Sequence, residues 1–299
     1  MGGGRRMHEP RHRCVPGTRP RAPLRAAAPS DGLRGRRPLR RVRPPLRRVL
    51  AGTHPIARHG LERFFVPCAG QKGDTMNVAH TRAPSTGDEV AGVSIPRTTL
   101  AVEAADAARA ALPAALADHA ARVFVFASLA ARRAGEGCDA DALYVAAMYA
   151  NMGLSPAYCR SPERYELDGA DAARALLVRH RRARSMRDDV WHAIALHTTP
   201  GVAERASPLA RALARAVSTD LMATDFDSYT ADERTALLAA YPRGSGFRET
   251  FLAAVARGVE HRPQSTFGTW SADVLERADP DFQRPNFCGR VLGARWSDA

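Results

Sequence analysis

Residues Ala114–Arg133 read AALADHAARVFVFASLAARR. Leu116, Val123, Phe126 and Leu129 recur there at close to a 3.6-residue period, which places them on one face of a helix. The same period continues on both sides. Thr99–Leu112 is Ala-rich and stops at Pro113. Ala140–Met152 follows, with Gly153 expected as its C-cap, then Ala170–His180 with Asp168 expected as its N-cap. Arg187–His197 runs into Thr198-Thr199-Pro200-Gly201, a stop signal. Pro208–Leu221, Thr230–Tyr241, Gly246–Glu260 and Ser271–Ala278 complete the series, and Thr230 with Glu233 forms a capping box. No hairpin signal or alternating run competes. The pattern predicts an all-α domain over residues 95–288, preceded by a linker at 76–94 and followed by a tail at 289–299.

The charge is confined to one end. The 299 residues carry 44 Lys and Arg against 31 Asp and Glu, a net of +13. Residues 1–75 hold 18 of those bases and 4 of the acids, so the remainder has a net charge of −1. A basic folded domain is therefore excluded, but a basic tail is not. In that tail, RGRRPLRRVRPPLRRV (Arg34–Val49) is broken by Pro38, Pro44 and Pro45. It buries too little apolar surface to offset its ordering entropy, which predicts disorder. Nucleic-acid binding through this arm is one expectation. Another is that translation starts near Met76 and residues 1–75 are a spurious extension. Arg is used 43 times and Lys once, as codon bias would produce.

Five cysteines lie far apart with no CxxC pair, which fits a reducing, cytoplasmic setting. The most apolar run, Val123–Ala131, is about half the length a membrane span needs, so no membrane partner is expected. No continuous apolar segment near Met1 reads as a secretory signal.

Few residues carry chemistry. His119 sits mid-helix among apolar neighbours, and His197 sits in the last turn of its helix. Either is explained by a satisfied core histidine. Asp220 is flanked by Val217, Leu221 and Met222. A carboxylate there needs a partner, and a metal, an arginine or a histidine would each serve.

Several motifs then occur in order: DHAARVFVF (Asp118–Phe126), LYVAAMYANMGL (Leu143–Leu154), RYELDGADAAR (Arg164–Arg174), VWHAIALHTTPG (Val190–Gly201), TDLM (Thr219–Met222), STFGTW (Ser265–Trp270) and RPNFC (Arg284–Cys288). Together they resemble the HD-domain superfamily, in its cyanamide-hydratase-like branch. The resemblance implies a single helical bundle around a divalent metal (zinc, iron or manganese). That metal would activate water for attack on a phosphoester or a nitrile-like carbon of a small molecule. By position, His119 matches the family's first histidine ligand and Asp220 its final aspartate. His197 would lie near the substrate as a catalytic candidate, and Thr198 at the pocket mouth.

The departure falls on the His-Asp pair that names the family. This chain has Ala150-Asn151 there. Alanine has no donor atom, and the amide of Asn151 is a weak third ligand. The expectation is a depleted metal site with weakened or lost catalysis. A pseudoenzyme that binds a small ligand or a protein partner in the same cavity is the alternative.

Overall fold

The computed structural model describes residues 89–295. The tail at 1–75 and most of the linker at 76–94 lie outside the described residues, as does the end of the C-terminal tail. The described part is all-α apart from one two-stranded ladder.

The ladder pairs β1 (Glu89–Val90) with β2 (Val93–Ser94). The turn between them, Ala91-Gly92, has φ of 52° and 76°. Two successive left-handed residues match the right-handed twist of a tight hairpin. Two-residue strands leave no alternation to read, so this hairpin falls in the stretch expected as linker. It is nonetheless part of the fold, because Val90 and Val93 are buried in the core.

Eleven helices follow among the described residues: α1 (Thr99–Ala111), α2 (Ala114–Ala134), α3 (Ala140–Tyr149), α4 (Tyr165–Arg179), α5 (Arg184–Leu196), α6 (Ala203–Ala206), α7 (Pro208–Met222), α8 (Ala231–Ala240), α9 (Phe247–Val259), α10 (Ser271–Ala278) and α11 (Phe287–Leu292). Local chemistry sets many of the ends. Thr98, Asp139 and Ser207 accept from backbone amides at the starts of α1, α3 and α7. Thr230 and Glu233 form the expected capping box on α8. Gly135 closes α2 in the left-handed conformation.

α2 and α3 form the centre. They are apolar around most of their circumference, the pattern of a helix enclosed by others. α2 packs on α3, α7 and α9, and α5 packs on α3, α4 and α7. By length and composition α2 could cross a membrane, with a mean hydropathy of 1.3 over its best window. In the fold, 67% of that window is buried inside the bundle.

Four local expectations are corrected. α3 ends at Tyr149, and Met152–Leu154 continues as a single 3-10 turn. Gly153 is no left-handed cap. It is required because a Cβ there would lie 2.0 Å from the Tyr165 carbonyl oxygen. Asp168 does not cap α4, which starts three residues earlier, but lies buried within it and is ion-paired with Arg262. At the far end, α11 runs into the stretch expected as tail.

Candidate functional site

The interior of the bundle holds a charged cluster centred on Asp220, in the last turn of α7. α2 supplies His119 and Arg122, which share a helix face because they are three residues apart. The segment between α8 and α9 supplies Arg243. His119 Nδ1 lies 2.6 Å from Asp220 Oδ2. Arg122 makes a two-pronged bond, Nε to Oδ1 at 2.8 Å and Nη2 to Oδ2 at 3.0 Å. Arg243 Nη1 donates to Oδ1 at 3.0 Å and also to the Asp220 carbonyl. A carboxylate has about four acceptor positions, and here all four are taken. The remaining Arg122 nitrogen donates to the carbonyls of Tyr241 and Pro242. Both guanidinium groups also lie over the Phe247 ring, at 4.8 and 4.2 Å from its centroid.

Burial works to raise the pKa of Asp220, but the bonds from His119 and Arg122 outweigh it and hold the carboxyl well below its ordinary range. His119 goes the other way. Burial lowers its pKa, and the pull of Asp220 only partly offsets this. The imidazole is therefore neutral. An ionised carboxylate only accepts, so the ring proton is on Nδ1 and Nε2 is a bare acceptor.

A second cluster surrounds His197, which follows α5. Its Nδ1 donates to the Ile194 carbonyl at 2.6 Å, so in the neutral ring Nε2 again carries no proton. Burial lowers this pKa too, against the pull of Glu166. The rings of Tyr165 and Trp270 stand edge-on to His197, at 6.0 and 6.5 Å. Trp270 Nε1 donates to the Tyr165 hydroxyl at 3.4 Å. Thr198 donates to the buried Glu166 and accepts from Arg164 at 3.3 Å, while Arg164 also pairs with Glu166 at 3.1 Å.

The structure thus brings His119 and Asp220 into direct contact. Ala150 and Asn151 are buried after α3. Among the described residues the Asn151 amide has no hydrogen-bond partner, and Ala150 offers no side-chain donor. Thr198 is committed to Glu166 and Arg164. His192 is exposed and lines a cleft of about 560 Å³ with Cys138, Met186, Asp189 and Leu209, away from His119 and Asp220. Burial, then Glu136 and Asp189, raise the Cys138 pKa, which favours the thiol over the thiolate.

Sequence reasoning did not single out Arg122, Arg243, Arg164 or Arg262. For Arg122 a signal existed, since it is the one charge between Ala120 and Ala131 in an apolar helix. The metal implied by the resemblance does not fit this donor set. Among the described residues no group of three or more His, Cys, Asp or Glu side chains could hold one. The acceptor positions of Asp220 are filled, and the next charges beside it are positive.

Two neutral buried imidazoles make stability depend on pH. The ordinary histidine value is 6.5, and in the fold both pKa values are lower. Above about pH 6.5 their contribution is fully present. As pH falls below that value the unfolded chain takes up protons that the fold refuses, so stability is lost. The slope should approach about 1.4 kcal/mol per pH unit for each histidine. Denaturant midpoints at about pH 7.5 and 5.5 measure it. Equal midpoints would mean that the imidazoles are protonated in place.

No protein-family model matches the chain, and no curated protein matches it.

Proposed function

We infer that this chain is an HD-type helical bundle in which metal-dependent hydrolysis is lost and the interior polar cluster serves to bind a ligand. One observation carries the reading: Asp220, the carboxylate expected to hold a metal, has its acceptor positions filled by Arg122, Arg243 and His119. Ala150 at the place of the second histidine supports it, since zinc sites use three or four protein ligands.

A second reading rests on a different feature. His119 and His197 each donate Nδ1–H to a fixed oxygen, as metal-bound histidines do. On that reading His197 replaces the missing histidine and hydrolysis or hydration of a small molecule is retained. Two arginines beside Asp220 weigh against a cation there.

Metal content separates the two. The purified full chain, incubated with zinc, iron or manganese and desalted, is expected to retain far less than one ion per chain. In Ala150→His/Asn151→Asp the content should rise, because two donors are restored. Near-stoichiometric metal in the natural sequence, lost in His119→Ala, would overturn the reading.

A further inference from the structure

A second cleft, of about 400 Å³, opens on the outside of the bundle where α9 and α10 end. It shares no residue with the clusters around Asp220 and His197. Leu275, 3% exposed, and the half-buried Phe282 form its apolar side. Glu260, Asp279 and Asp281 line much of the rest. Among the described residues none of these three carboxylates has an ion pair, in a chain with 43 arginines. Asp279 accepts from the Asp281 amide at 2.9 Å. The neighbouring bases do not line the cleft. Arg277 pairs with Glu249, Arg284 with Asp273 and Glu276, and Arg257 and His261 lie outside it.

Two of the acids stand where a helix disfavours them. Glu260 is the C-cap of α9 and Asp279 that of α10. A helix C-terminus carries about half a negative charge, so each carboxylate sets like charge beside like. The arrangement costs stability in the free chain, and a bound cation would relieve it. Residues that break a local rule in this way mark functional sites.

Geometry decides which cation. Among the described residues no three His, Cys, Asp or Glu side chains converge closely enough to hold a metal ion. The cation that meets these acids therefore needs donors pointing in several directions. A guanidinium is planar, carries five N–H donors and stacks on aromatic faces, whereas an ammonium is a compact point charge. Phe282 supplies the aromatic side.

We propose that the cleft between the ends of α9 and α10 binds a small molecule carrying a guanidinium group, held by Glu260, Asp279 and Asp281 against the Phe282 ring. This is independent of whether the interior retains a metal.

Nα-acetyl-arginine amide and its citrulline counterpart have nearly the same shape, but only the first is charged. The full chain, with labelled phenylalanine rings, is titrated with each. The arginine probe is expected to move the Phe282 resonances saturably and to leave those of Phe226, 49% exposed between α7 and α8, in place. The citrulline probe, and magnesium alone, should move neither. Glu260→Gln/Asp279→Asn should weaken binding about tenfold, the factor for a lost charge-assisted hydrogen bond. Its unfolding midpoint should be the same or higher, because like charge is removed from both helix ends. Acids kept for structure alone would instead lower that midpoint on removal, which would overturn the proposal. If the variant does not fold, the probe series on the natural chain decides alone. A Phe282 ring that stays still, an equal response to citrulline or magnesium, or a double variant that binds as before would also overturn it. So would an arginine flanked by glycines in a longer peptide that binds about tenfold tighter than the single residue, since the partner would then be a protein segment.

Discussion

Asp220→Ala is expected to destabilise the fold by about 3–5 kcal/mol, because it strands a fully buried arginine. Arg122 is 0% exposed, and Asp220 is the counter-charge for two of its nitrogens. Its other bonds go to neutral carbonyls. A domain of this size has roughly 5–15 kcal/mol of stability, so the loss would remove a large share of it. Arg243 fares better, since its side chain is 29% exposed and can reach water. The double variant Arg122→Leu/Asp220→Leu should recover at least half of the loss, since it removes the charge together with its partner. Equilibrium unfolding in urea measures both. A single variant costing less than about 1 kcal/mol would show that Arg122 is hydrated or finds another partner.

The second large effect is expected at Gly153. A Cβ there would sit 2.0 Å from the Tyr165 carbonyl oxygen, 2.8 Å from its carbon and 2.9 Å from Asp168 Cβ. The nearest atoms are backbone at the start of α4, so no side chain can swing aside. That backbone is also clamped. Arg262, fully buried, donates to the carbonyls of Gly153 at 2.6 Å, Glu163 at 2.8 Å and Gly258 at 3.0 Å, and pairs with Asp168. Gly153→Ala should therefore cost about 3 kcal/mol or more and reduce the yield of folded protein. Gly201 is the control. Its φ is +79°, but nothing lies within 4 Å of a Cβ built there. Gly201→Ala should cost only the left-handed penalty of about 1–2 kcal/mol. If the two alanine variants unfold at the same denaturant concentration, the close approach at Gly153 is not what requires glycine.

These two sites show how far the sequence can be read. Gly153 was legible as a special residue, but for the wrong reason. A glycine after an apolar run reads as a left-handed cap, because that requirement is local. Its actual requirement is the approach of Tyr165, which belongs to the next helix. The same holds for Asp168. An aspartate near a helix start reads as a cap, and its true partner, Arg262, is 94 residues further along the chain. Asp220 is more legible. The need for a partner followed from its apolar flanks, with a metal, an arginine or a histidine left open. The fold supplies an arginine pair and a histidine.

The sequence by itself determined the all-α class, most helix positions and several caps. Those depend on interactions within a few residues: the 3.6-residue period, the capping box at Thr230 and the stop at Thr198–Gly201. It also placed the excess charge in residues 1–75. Only the tertiary structure decided which buried charges meet. Arg122 and Asp220 are 98 residues apart, and this chain has 43 arginines that could serve a buried carboxylate. Nothing local distinguishes the one that does. The choice is made when α2 and α7 pack, because an unpaired charge in that interior would cost more than the packing could offset.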